Sequence, residues 1–328
     1  MENKLNIAIL AGGNSSEANI SLKSAAQISG WIDADKYNAY TVFIKGTSWA
    51  LKHPELGEIE IDKNDFSATV KGAKLKFDCA LIAIHGTPGE NGLLQGYLEM
   101  MNIPYTTGSV MNSSFTFHKY YCKELVKETG VNLAKGINLK RGQKFDTDNI
   151  IKTLGLPIFV KPNESGSSYG VSKVKFAEDL MPAIENAFKE DRTIILEEFI
   201  SGREFTCGVF KSDSKEIVMP VTEIISMNEF FDYEAKYQNK SKEVTPAEIS
   251  ETLTKRIQEF SSKIYDRLDC RGIVRVDYIV DNENIYFLEI NTVPGMSEAS
   301  IIPQQVRAMG GNMRDMFTLV IEDAVSRK

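Results

Sequence analysis

The chain has 328 residues, 42% of them hydrophobic and 25% charged, and carries a formal net charge of −7 from 38 basic and 45 acidic side chains. That composition excludes a disordered chain or a fibrous repeat, and the acidic balance excludes a nucleic-acid binder that neutralises phosphates with a broad basic face. The length allows two or three packed units, because single cores seldom grow past roughly 250 residues.

The opening stretch MENKLNIAILAGG has an apolar run too short, and too soon ended by glycine, for a signal peptide or a membrane span. A cytoplasmic location with no membrane partner is expected. Leu5 to Leu10 predicts a strand running into Gly12 and Gly13, followed by a helix from about Ser21 to Trp31. Further strands are expected at Ala39 to Ile44 and Cys79 to Ile84, the latter opening into His85-Gly86 and a helix over Leu93 to Met101. Strands alternating with helices imply a parallel α/β unit, ending near residue 106 at Pro104 and Gly108. Ser113 can cap a helix that runs to Gly130. A small sheet covered by helices follows: strand Pro157 to Val160, a glycine-rich loop Glu164 to Gly170, strand Val171 to Val174, helix Glu178 to Lys189 and strand Ile194 to Phe199. Beyond the apolar run Phe205 to Phe210, Thr245-Pro246-Ala247-Glu248 matches a capping box ahead of Ile249, Leu253, Ile257, Phe260 and Ile264 at helical spacing. The last clear signal is a hairpin, Ile273 to Val280 and Ile285 to Ile290, joined through Asp281 to Asn284. Three units are expected, 1–106, 107–196 and 197–328.

Four scattered cysteines without a C-x-x-C pair predict reduced, buried thiols. With three histidines and no H-E-x-x-H, a metal would be held by oxygen. Two common nucleotide loops are absent. No glycine is followed by lysine, which excludes a Walker A motif, and Ala11-Gly12-Gly13-Asn14 does not supply G-x-G-x-x-G. The segment Lys161 to Gly170 (KPNESGSSYG) instead places a lysine at a strand end before a loop of glycine and serine. Such small residues let backbone N–H groups approach an anion while lysine supplies a point charge; the same residues also serve a plain turn. In the hairpin, the two-residue period puts Arg275 and Asp277 on one face, and Glu289 and Asn291 on one face of the next strand. Two carboxylates and an amide suit Mg²⁺, which completes its shell with water and phosphate oxygens; a solvated polar face has the same pattern.

Taken together, K-P-N-E-S-G-S-S-Y-G, E-E-F-I-S-G-R-E-F-T, F-D-Y-E-A-K-Y, R-V-D-Y and L-E-I-N-T-V-P-G-M, in this order and behind L-A-G-G-N-S-S-E and A-I-H-G-T-P-G-E-N-G-L-L-Q-G, resemble the D-alanine:D-alanine ligase family over nearly the whole chain. The resemblance implies an α/β (in parts α+β) ATP-grasp fold, with an N-terminal parallel α/β domain and two further α+β subdomains enclosing ATP. It implies phosphate contacts from Lys119, Lys161 and Lys236 and from the loop at Ser167 and Ser168. Adenosine contacts would come from Glu197, Glu198, Phe199, Ile200 and Glu204, and two Mg²⁺ (Mn²⁺ as alternative) would bind at Asp277, Glu289 and Asn291. Arg275 and the Gly295 backbone would stabilise an oxyanion. Glu17 would anchor the first D-alanine beside His85, Ser300 would contact the second carboxylate, and Ser167 and Tyr237 would link a closing loop to Glu17. A homodimer is implied as well.

The implied reaction suits these residue types. A carboxylate is a poor electrophile, so phosphorylation by ATP would first give an acyl phosphate, which the amine of a second D-alanine attacks. The tetrahedral oxyanion then needs donors such as Arg275 and a backbone N–H. A ligase joining D-alanine to D-lactate or another hydroxy acid would share the ATP residues, but Tyr237 favours the dipeptide enzyme. A non-catalytic nucleotide-binding module would not need Asp277, Glu289 and Asn291, all of which are present.

Overall fold

The protein is described here by a computed structural model that covers residues 4–164, 166, 169–226 and 241–327. The N-terminal unit begins with β1 (Leu5–Gly12), α1 (Ala18–Trp31) and β2 (Tyr37–Lys45). It continues through β3 (Ser48–His53), β4 (Gly57–Asp62), β5 (Ser67–Val70), β6 (Ala73–Lys76), β7 (Cys79–Ile82) and α2 (Leu93–Met100). These strands form one sheet in the order β6-β5-β4-β3-β2-β1-β7, with β1 parallel to both β2 and β7. β1 is buried on both faces, as a central parallel strand must be. Ile7, Ile9 and Ala11 pack with Ala25 and Ile28 of α1, while Ala8 and Leu10 pack with Leu94 and Leu98 of α2. The expected parallel unit is therefore present, extended by the antiparallel strands β3 to β6, which the sequence reading missed. The loops after β1 and β7 leave the same end of the sheet. That end, the carboxyl end of parallel strands, is where α/β sheets bind ligands.

Next come α3 (Val110–Phe117) and α4 (Lys119–Val126), a 3₁₀ turn (Lys127–Thr129) and β8 (Asn132–Leu133). The single helix expected from Ser113 to Gly130 is thus two helices, and Ser113 is not its cap. Ser109 caps α3 by accepting from Asn112 N–H. His118 adopts extended backbone and caps α4 through Nδ1. Asn163 explains the break, because its carbonyl and side-chain oxygens take the N–H groups of Lys119 and Tyr120. The second sheet is built from β9 (Gly136–Lys140), α5 (Thr147–Leu154), β10 (Ile158–Pro162), β11 (Ser172–Val174), α6 (Leu180–Glu190) and β12 (Thr193–Glu198), in the antiparallel order β11-β10-β12-β9. Ile158, Val160, Ile194 and Leu196 face α5 and α6. By the two-residue period Lys161 and Glu197 face the opposite way, into the molecule.

The third sheet contains β13 (Arg203–Ser212), β14 (Lys215–Val218), β15 (Thr222–Ser226), β16 (Ser241–Val244), β17 (Val274–Asp281) and β18 (Asn284–Asn291). Its order is β16-β15-β13-β17-β18-β8, with β14 on β13. Helix α7 (Glu251–Arg267) covers one face, Ile257, Ile264 and Tyr265 packing on Cys207, Val209, Val274 and Val276. This helix starts at Ser250, which accepts from Leu253 N–H, and not at the expected capping box; Thr245 instead bonds Thr222 side chain to side chain at 2.7 Å. Two further helices, α8 (Ile301–Ala308) and α9 (Met313–Ser326), return the chain to the first sheet, where Phe317, Val320 and Ile321 join the core of Ile7 and Ile9. All four cysteines are free and buried, as expected.

Candidate active site

The three sheets wall a single cavity of about 910 Å³. Glu17, His85, Lys119, Lys161, Glu197, Glu198, Phe199, Ile200, Glu204, Arg275, Asp277, Glu289, Asn291, Gly295 and Ser300 all line it. The remaining residues singled out in the sequence, Ser167, Ser168, Lys236 and Tyr237, lie outside the described residues.

On the wall formed by the second sheet, Lys161 at the end of β10 bonds Glu197 Oε2 on the neighbouring strand at 2.8 Å. The other oxygen of Glu197 pairs with Lys123, one helical turn beyond Lys119 in α4. Burial alone would raise the Glu197 carboxyl, but the two ammonium groups overcome it and hold the group down to about 2. Lys123 belongs to none of the motifs in the sequence, yet its side chain is only 8% exposed. Where β12 ends, Lys135 N–H donates to Glu198 Oε1 at 2.8 Å and Phe199 N–H donates to the Pro157 carbonyl at 3.2 Å. These bonds turn the 198–200 segment along the cavity wall towards Glu204 on β13.

On the wall of the third sheet, the register pairs Asp277 with Glu289 and Arg275 with Asn291, so all four side chains share the cavity face. Arg275 holds both oxygens of Asp277 at 2.9 and 2.8 Å, Asn291 Nδ2 donates to Oδ2 at 2.9 Å, and Thr206 Oγ donates to Oδ1 at 2.5 Å. Burial would lower the Arg275 guanidinium, but Asp277, Glu289 and Glu243 outweigh it and move the group upward, keeping it charged. Thr206 was missed, although it lies two residues after Glu204 and so on the same strand face. Two carboxylates and an amide carbonyl suit a hard divalent cation. Among the described residues no group of three or more His, Cys, Asp or Glu side chains forms a metal site. A cation here would therefore need further oxygens, as Mg²⁺ obtains from a nucleotide.

Glu17, at the first turn of α1, faces the cavity from the loop after β1. Gly166 of the glycine-rich loop lies directly on it; a Cβ at Gly166 would collide with the Glu17 carboxylate. In the loop after β7, Ser15 donates to the His85 carbonyl at 2.9 Å, and Gly86 N–H donates to Glu90 Oε2 at 2.6 Å. Burial, reinforced by Glu17, pushes the Glu90 carboxyl up to about 8. Glu90 was quoted within a motif but given no role. Ser300 stands at the N-cap position of α8, but its Oγ turns back to accept from Ser297 N–H at 3.0 Å and lies 3.1 Å from where a Cβ on Gly295 would stand. Glycine at 295 thus keeps this stretch of cavity-lining backbone clear of Ser300.

A family model described as D-ala D-ala ligase N-terminus matches residues 6–109, and one described as D-ala D-ala ligase C-terminus matches residues 125–322. The D-alanine–D-alanine ligase of Parabacteroides distasonis is 50% identical over 327 residues, which cover 99% of each chain. Among solved structures, the VanG D-Ala:D-Ser ligase from Enterococcus faecalis matches with a TM-score of 0.86 at 31% identity, over 98% of this chain and 99% of its own. The D-alanine–D-alanine ligase from Bacillus anthracis complexed with ATP matches with a TM-score of 0.78 at 27% identity, over 98% of this chain and 97% of its own. The chain belongs to the D-alanine–D-alanine ligase family and has its ATP-grasp fold.

Proposed function

With membership in that family as the premise, we propose that the chain joins two D-alanine molecules into D-alanyl-D-alanine for peptidoglycan precursors, consuming ATP through an acyl phosphate and releasing ADP and phosphate. One observation carries this reading: one cavity brings Lys161 of the second sheet, Lys119 of α4, the oxygen-rich hairpin of the third sheet and the Glu17 carboxylate from the loop after β1 to the same space. Lys119 and Lys161 bind the phosphates, and Glu197, Glu204 and the backbone of 198–200 hold the nucleoside. Asp277, Glu289 and Asn291 would hold two Mg²⁺, or Mn²⁺, which when bound neutralise charge on the transferring phosphoryl group.

Glu17 takes the ammonium of the first D-alanine and Ser300 the carboxylate of the second. Arg275 and the Gly295 N–H face the carbonyl oxygen that becomes negative when the second amine attacks, and donors fixed beforehand act there without reorganisation. Residues 1–106, 107–196 and 197–328 are the units whose closing would exclude water from the acyl phosphate. No helix among the described residues is long and apolar enough to cross a membrane. Use of ATP fits a cytoplasmic enzyme, and the exposed apolar side chains of α2 and α3 fit a homodimer.

Incubation with ATP, Mg²⁺ and D-alanine should release phosphate and dipeptide in equal amounts; D-serine and D-lactate offered as second substrates test the neighbouring readings. Glu289→Gln should lower phosphate release by at least about 10³-fold with an unchanged circular dichroism melt. Absence of D-alanine turnover would overturn the substrate assignment.

A further inference from the structure

Three side chains of the N-terminal unit converge on one stretch of the C-terminal unit, residues 292–296. His85 Nδ1 lies 2.8 Å from the Val293 carbonyl oxygen, and Val293 N–H donates to Glu90 Oε1 at 3.3 Å. Met296 N–H donates to Ser24 Oγ at 3.3 Å, and that oxygen lies 3.3 Å from His85 Nε2. A carbonyl oxygen can only accept, so the ring proton sits on Nδ1. Burial first, and Arg275 further off, hold the ring below its ordinary pKa against Glu17, so it is neutral and Nε2 accepts the Ser24 hydroxyl proton. Along the chain Met296 N–H, Ser24 hydroxyl and His85 ring, each donor then meets one acceptor, and both ring nitrogens are engaged within the protein.

The clasped peptide occupies a decisive place. Val293 stands two residues after Asn291 and two before Gly295, in an irregular segment with no ladder of its own to fix it. Its N–H and C=O are gripped from the other unit by residues more than 200 positions away in sequence. We propose that His85 and Glu90 are positioning residues: they hold the Val293 peptide, and through it the Gly295 N–H and the Asn291 side chain, in the geometry that ligation requires. His85 acts through the backbone of the third sheet's extension and not by touching substrate. The kinetic half of this proposal rests on the ligation reading above.

Asparagine presents its amide nitrogen near the position of Nδ1, and glutamine near that of Nε2. His85→Asn therefore keeps a donor for Val293, whereas His85→Gln loses it. At saturating ATP, His85→Gln and Glu90→Gln should lower kcat about 10²-fold, the effect of about an ångström of misplacement. The KM for ATP should stay within about twofold. His85→Asn should recover at least about tenfold of the lost kcat. Independently of substrate, hydrogen–deuterium exchange of a peptide spanning residues 292–296 should accelerate about tenfold in His85→Gln and much less in His85→Asn. Rescue by glutamine in place of asparagine would overturn the proposal, as would unchanged exchange in every variant. The expected exchange pattern in a protein that releases no phosphate with D-alanine would support the clasp and overturn the ligation reading alone.

Discussion

Glu197 is a buried carboxylate between two lysines, and its charge state sets the balance of charge on the second sheet's side of the cavity. Lys123 and Lys161 hold it at about 2, below its usual 4.5 despite burial. The folded protein therefore binds this proton less tightly than the unfolded chain. The stabilisation from this carboxylate is complete above about pH 4.5 and is lost as pH falls through about 2. Glu197→Gln should lower the urea unfolding free energy by about 3–5 kcal/mol at pH 7, because Lys123 is left buried and unpaired, and by much less near pH 3. Glu197→Leu combined with Lys123→Met should lose less than Glu197→Gln alone; a double variant no better than the single would refute the pairing. Lys161 and Glu197 were legible in the sequence, since each sits in a motif and faces away from apolar neighbours on its strand. Lys123 was not, because a lysine one turn from another on a helix is ordinarily solvated and only tertiary packing buries this one.

At the scale of elements, the glycine-rich loop between β10 and β11 is fitted to Glu17 through the bare backbone of Gly166. A methyl there meets only the end of a flexible side chain, so Glu17 would swing aside and the fold would tolerate the change. Gly166→Ala should cost less than about 1 kcal/mol in stability while raising the KM for D-alanine about tenfold. A large drop in melting temperature with unchanged KM would contradict this fit. Elements announced by apolar periodicity, such as β1, β2, α2 and the β17–β18 hairpin, were legible. The strands β3 to β6 were not, because each is only four to six residues long and Glu58, Glu60, Lys74 and Lys76 leave β4 and β6 only Ile59, Ile61 and Leu75 as large apolar anchors. Helix starts failed for a different reason: Ser, Thr and His near a start all offer caps, and the choice falls to tertiary partners such as Asn163 for α4 and Thr222 for Thr245.

Across the whole molecule, the order of motifs along the chain was enough to indicate a three-part site, whereas the meeting of residues 85–90 with 292–296 was not, since spacing carries no information about contacts so distant in sequence. The same limit applies to assembly. Leu93 and Met100 lie two turns apart on α2, and Met111 and Phe115 one turn apart on α3; they are 65%, 76%, 62% and 38% exposed. The two helices pack closely where Gly92 and Gly96 face Val110, so these apolar side chains belong to one surface region. Each such side chain contributes roughly 1.5–3 kcal/mol when fully buried, and this surface away from the cavity is the one the proposed homodimer would cover. Sedimentation velocity at micromolar concentration should therefore give twice the chain mass of 36.7 kDa. Met100→Glu combined with Met111→Glu should give the single-chain mass, because ionised carboxylates cannot be buried there without partners, while turnover per chain stays within about twofold of wild type. A wild type that sediments as a single chain at tens of micromolar would overturn the homodimer, and a double variant that still pairs would move the interface to another face.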